Sequence, residues 1–151
     1  MKMADKFVVA ADRDTVWKFI TEPDNFVKLI PDLQKYEKVD ATSFKTVFKI
    51  GLGMIKGSLN MAFKYEELSP PTSLRISGKG SGMQSTADLS LQLQLNPVEG
   101  GTEVSWSADM IVGGLVASVG SRLMESTTKA KVKELVEGLK KELEKPAKKK
   151  K

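Results

Sequence analysis

The sequence predicts an α+β domain: a curved antiparallel sheet of six to seven strands, two short helices after the first strand, and one long C-terminal helix lying across the sheet. Two observations predict it. Between Phe44 and Val112 apolar and polar residues alternate strictly in run after run, which gives each strand one dry and one wet face. From Gly114 to about Leu143 the period becomes helical, and a helix of that length is on the order of 45 Å long, enough to cover one whole sheet face.

Each element follows in order. Phe7–Ala10 reads as the first strand, and Asp12 precedes the helical pattern TVWKFI, whose Val16, Trp17, Phe19 and Ile20 supply a buried face. Pro23 suits the first turn of a second short helix that carries Phe26 and ends after Ile30 at Pro31. A strand follows around Tyr36–Val39. Phe48, Ile50 and Leu52 then share one face, as do Ile55, Leu59, Met61, Phe63 and Tyr65 in the next run. Leu74 and Ile76 continue the pattern, followed by Leu89, Leu91, Leu93 and Leu95, and by Val104, Trp106, Ala108, Met110 and Val112. Gly53-Met54, Ser69-Pro70-Pro71-Thr72, Gly80–Gly82 and Asn96–Gly101 interrupt the alternation with turn chemistry, so neighbouring strands are expected to pair as a meander. Met110–Val112 should finish the last strand, Gly113-Gly114 make the turn, and Leu115–Met124 begin the long helix. Leu115, Val119, Leu123, Ala130, Leu135, Leu139 and Leu143 form its drifting apolar stripe.

Composition narrows the chemistry. The 151 residues, 40% hydrophobic and 28% charged, suit one ordinary domain. With no cysteine and no histidine, thiolate and imidazole nucleophile systems and the usual zinc sites are excluded. The N-terminal apolar run is too short for a signal peptide, so the chain is expected to stay in the cytoplasm. Charge is segregated: ten lysines and four glutamates lie from Lys129 onward, against fourteen basic and fifteen acidic residues before it. Pro146 is expected to end the helix. This divides the chain into a domain over residues 1–145 and a basic tail over 146–151, whose Lys148, Lys149, Lys150 and Lys151 could touch an anionic membrane surface reversibly. The body has no basic stripe with interleaved aromatics, so nucleic acid is not expected as a partner.

Two glycine-rich stretches invite a phosphate-loop reading and fail it on context. Gly78–Gly82 leads from strand to strand, and Gly113-Gly114 lacks the Gly-Lys-Ser/Thr ending and has apolar Leu115 and Val116 in the first helical turn. No carboxylate pair is spaced for acid–base work, no cofactor is expected, and the protein is read as non-catalytic. Any single inward aromatic or methionine is by default core. Together, however, Gly57, Gly78 and Gly80 on the inward face, with Met54, Met61, Met83 and Met110, point to an apolar cavity between sheet and helix. The candidate lining is Trp17, Phe26, Ile30, Phe48, Ile50, Leu59, Met61, Phe63, Ile76, Leu89, Leu91, Trp106, Met110, Val116, Val119 and Gly120. Gly120 either permits close packing or leaves room for a ligand.

This order of elements resembles the START-like helix-grip (SRPBCC) superfamily. Val16-Trp17, Ile30-Pro31, Gly78 with Gly80-Ser81-Gly82, Thr102–Trp106, and above all Val112–Ala117 with Gly120–Leu123 resemble the carbon monoxide dehydrogenase G-subunit family. The resemblance implies a cavity for an apolar small molecule such as a lipid or isoprenoid quinone, and an accessory role to a molybdenum-containing dehydrogenase at the inner face of the membrane. Cyclase- or hydratase-like enzymes, as some superfamily relatives are, and a recruitment module without a ligand remain alternatives. The chain departs from the family pattern at Asp32, where glycine is common, and in ending on KPAKKKK in place of a hydrophobic extension.

Overall fold

The structure, a computed structural model, describes residues 1–149, with side chains described for residues 1–144. Seven strands form one antiparallel sheet: β1 (Lys2–Val9), β2 (Leu33–Asp40), β3 (Ser43–Leu52), β4 (Ile55–Ser69), β5 (Ser73–Gly82), β6 (Ser85–Val98) and β7 (Gly101–Gly114). Their spatial order is β1-β7-β6-β5-β4-β3-β2, so β2 to β7 are a meander and β1 closes onto the last strand. The first strand begins at Lys2, earlier than its apolar run suggests, because Lys2–Lys6 pair with Ser105–Asp109 whatever their side chains are. Backbone pairing, unlike side-chain patterning, is indifferent to an exposed edge.

Two short helices follow β1. α1 (Arg13–Thr21) starts where Asp12 accepts the Thr15 backbone N–H at 2.8 Å, the N-cap geometry expected of an aspartate at that place. α2 (Pro23–Phe26) has proline in its first turn and runs into a 3₁₀ turn, Val27–Leu29. Val16, Ile20, Phe26, Val27 and Leu29 bury against one end of the sheet, where Val9, Leu74, Leu95 and Val104 are also enclosed. An aromatic cluster anchors that end. Phe44 stacks on Phe63 at 5.1 Å and meets Phe26, Tyr36 and Tyr65 at 6.0–6.1 Å.

The C-terminal helix departs from expectation at both ends. β7 carries on through Gly113-Gly114, which pair with Thr86 and Ser85, and the chain turns in a 3₁₀ segment, Val116–Val119. Gly120, at φ 97°, then breaks the backbone before α3 (Ser121–Lys149) begins. The continuous apolar stretch therefore holds strand end, 3₁₀ turn and helix start, and only a residue tolerant of positive φ can join the last two. At the far end α3 runs past Pro146 to Lys149. Proline removes one backbone donor, but its fixed φ is itself helical. The side chains of Lys148 and Lys149, and all of Lys150 and Lys151, lie outside the described residues, and the proposed membrane contact of the tail lies there with them.

Candidate functional site

The inward face of the sheet is buried along Leu59–Tyr65 of β4 and Leu74–Gly78 of β5, and is only partly covered in the middle of β6 and over parts of β3 and β7. On β6, Ala87 and Leu95 are buried, whereas Leu89, Leu91 and Leu93 between them are only half-buried. Opposite them on β7, Val104 is fully enclosed, while Trp106, Ala108 and Met110 stay partly exposed. β3 repeats the gradient: Phe44 and Thr46 are buried, and Phe48 and Ile50 are partly exposed. These side chains lie on the sheet face that α3 crosses, and their residual exposure shows apolar surface on that face that the helix leaves uncovered.

The cause lies in how α3 is held. Its C-terminal half is pinned: Leu139 and Leu143 are buried, the Lys140 ammonium lies 5.9 Å from the Phe7 ring centre, and Glu144 accepts the Ala10 N–H at 3.0 Å. Midway, Lys131 pairs with Asp32 at 2.9 Å. The hydrogen bond from that ammonium to Asp32 raises the Lys131 pKa above the ordinary lysine value. Toward the N-terminus, Leu123 and Met124 remain half-buried, and the β3–β4 turn approaches closely enough that a Cβ on Gly53 would lie 3.3 Å from Leu123. The helix therefore spans the sheet from supports at its ends, leaving apolar surface uncovered beneath it.

The predicted lining divides accordingly. Trp17, Ile30, Phe48, Ile50, Leu89, Leu91, Trp106, Met110 and Val119 are partly exposed. Phe26, Leu59, Met61, Phe63, Ile76 and Val116 are buried, the first five within the main core cluster. Gly120 is exposed, and a Cβ there would have nothing within 4 Å, which decides between its two readings: it neither packs closely nor opens a pocket, but breaks the chain. The inward glycines do not leave empty space. A Cβ on Gly80 would collide with Met61 Sδ and lie 2.8 Å from the Asn60 carbonyl oxygen, one on Gly78 would lie 3.0 Å from Met61 and Phe63, and Met83 covers Gly57. Met54 is the exception among the four methionines, 98% exposed, because it belongs to the two-residue turn between the paired Leu52 and Ile55, where alternation has no meaning.

Polar groups inside are few and mostly engaged. The Tyr65 hydroxyl donates to the Ile20 carbonyl at 2.6 Å, and burial pushes its pKa up. Thr102 Oγ1 donates to the Ala11 carbonyl at 2.8 Å, and Ser85 Oγ accepts the Val116 N–H at 2.8 Å while donating to the Met83 carbonyl. At the edge, Tyr36 donates to Asp24 at 2.6 Å; this bond lowers the Asp24 pKa, and burial with that carboxylate raises the Tyr36 pKa. Thr46 and Leu93 complete the inward face, and the lining expected from sequence lacks both. The parity of LQLQL places Leu93 on that face with Leu89 and Leu91, and the parity of FKTVFKI would have found Thr46.

The family model for the G subunit of carbon monoxide dehydrogenase (CoxG) matches residues 6–144, from β1 into the last turns of α3. The chain belongs to the CoxG family. No curated relative matches it in sequence. Solved structures give the same fold at low identity. A conserved protein from Geobacillus kaustophilus is similar at 20% identity and a TM-score of 0.88, covering 96% of each chain. A START superfamily protein from Mycobacterium smegmatis is similar at 12% and 0.72, covering 95% of this chain and 97% of that one. The Zhui aromatase/cyclase from Streptomyces sp. R1128 is similar at 11% and 0.70, covering 97% and 95%. The architecture is thus the START-like helix grip. Asp32 has φ 60°, a left-handed conformation that glycine adopts freely and aspartate tolerates. In this CoxG chain the Asp32 carboxylate holds Lys131.

Proposed function

We propose that this CoxG-family chain binds an apolar small molecule, a lipid or an isoprenoid quinone, in the cleft between sheet and α3, without catalysis and in the service of a molybdenum-containing dehydrogenase. The observation that carries the reading is the half-exposed row Leu89, Leu91 and Leu93 flanked by buried Ala87 and Leu95. A strand buried at both ends and open in the middle has apolar surface still to cover, and a ligand gains about 2.5 kcal/mol for each 100 Å² of apolar area it removes from water. Part of that gain offsets the entropy of association. The polar groups named inside the fold are held by backbone partners, Thr46 aside, which favours a carrier over a cyclase. Native mass spectrometry of the purified protein, with titration of a fluorescent fatty acid, tests the reading. Uptake of one molecule per chain supports it, and absence of uptake up to the solubility limit overturns it.

A second reading rests on the exposed apolar tip. Met54 stands at the turn beside the start of α3, and Leu115, 42% exposed, lies in the segment leading to that helix. Among the described residues no helix is long and apolar enough to cross a membrane, and this reading has the apolar tip rest on a membrane surface. Sedimentation with anionic vesicles, compared between the wild type and Met54→Glu, separates the readings: only the second requires Met54.

A further inference from the structure

Three buried polar residues occur among the described residues: Thr46, Ser85 and Thr102. Ser85 and Thr102 satisfy backbone groups, and each would leave one orphaned if it were valine or alanine. Thr46 does neither. It is 2% exposed, and its Oγ1 has no hydrogen-bond partner. A buried hydroxyl without a partner costs about 1–3 kcal/mol, which the isosteric valine would avoid. Stability does not account for threonine here.

Its position suggests what does. Thr46 lies on the inward face of β3, between buried Phe44 and half-exposed Phe48, and it pairs across the sheet with Met61 on one side and Tyr36 on the other. Two residues along a strand is about 7 Å, so the hydroxyl stands where the open cleft gives way to the aromatic core. Tyr36 directs its own hydroxyl to Asp24, and Met61 has no strong hydrogen-bonding group. The Thr46 hydroxyl is itself buried, so an oxygen-bearing group reaches it only where the flexible Met61 side chain paired beside it gives way.

We propose that Thr46 is the polar anchor of the site: its hydroxyl donates to a carbonyl oxygen at the head of an otherwise apolar ligand, which therefore enters head first with its hydrocarbon tail along the half-exposed Phe48 and Ile50 of the same strand. The proposal rests on the apolar-cleft reading and adds head-group selection to it. A hydrocarbon of the same shape binds through the apolar side chains alone, and a carbonyl-bearing one gains the hydrogen bond.

Geranyl-1,4-benzoquinone and geranylbenzene, which share a carbon skeleton and differ in the two ring carbonyl groups, test this by calorimetry. The wild type is expected to prefer the quinone. Thr46→Val should bind the quinone about two- to tenfold more weakly, bind geranylbenzene as before, and melt no lower than the wild type. Thr46→Ser, which keeps the hydroxyl, should retain the preference and also serves if the valine variant does not fold. Equal quinone affinity of wild type and Thr46→Val, or loss of the preference in Thr46→Ser with the fold intact, would overturn the anchor while leaving the cleft. Failure of the wild type to bind either compound would overturn both.

Discussion

Tyr65 and Asp32 show how single residues set the frame around the cleft. The Tyr65 hydroxyl ties β4 to the Ile20 carbonyl in the last turns of α1, inside the core. Tyr65→Phe leaves that carbonyl without its partner and is expected to cost about 1–3 kcal/mol, read as a lower urea midpoint at unchanged slope. Asp32 acts at the surface, where Lys131 and its own carboxylate are each about half exposed. Exposed pairs of this kind contribute below about 1 kcal/mol, so a double-mutant cycle over Asp32→Asn and Lys131→Met should give a coupling in that range that vanishes in 1 M salt. Because the folded state raises the Lys131 pKa, the coupling is complete at neutral pH and is lost as pH rises above the ordinary lysine value of 10.5 and through the raised one. A coupling that persisted undiminished at high salt would contradict this account.

At the scale of elements, α3 is two helices in behaviour though one in backbone. From Leu135 onward its apolar positions reach the core, and Lys140 and Glu144 hold β1 and its exit. Before Lys131 it has half-buried Leu123 and Met124 and follows the break at Gly120. Local opening scales with the number of buried apolar contacts. Amide hydrogen exchange should therefore be faster over Ser121–Lys129 than over Val132–Leu143, and uniform protection along the helix would refute the division. β5 shows the opposite extreme. Its glycines admit Met61 and Phe63 so closely that Gly80→Ala must displace both a side chain and the Asn60 carbonyl, and thermal unfolding should fall by several degrees. Flexible Met61 can give way, but the strand backbone beside it cannot.

For the whole molecule, the decisive feature is a helix supported at its ends above a sheet it does not fully cover. Leu91→Trp places a large side chain in the uncovered middle and should abolish uptake of a fluorescent fatty acid while holding or raising the melting temperature. A loss of stability without loss of binding would place the cleft elsewhere. An antiparallel meander of six to seven strands, the inward parity of every strand from β3 to β7, the Asp12 cap and the long final helix were legible in the sequence, whereas the pairing of β1 with β7 was not. They follow from alternation, capping chemistry and period, which act between residues near one another in the chain. Alternation also named the inward residues, yet it could not separate Leu91, half-exposed in the cleft, from Ile76, buried in the core, because both carry the same local pattern. That distinction depends on where α3 and α1 lie over the sheet. Likewise Gly80 reads as a gap in one dimension and is filled by Met61 in three, and Asp32 reads as a departure from its family until Lys131, 99 residues away in sequence, arrives beside it. Local pattern is enough to say which side of each strand is dry. Which part of that dry surface stays uncovered emerges only on folding, because burial there depends on contacts between residues far apart in the chain.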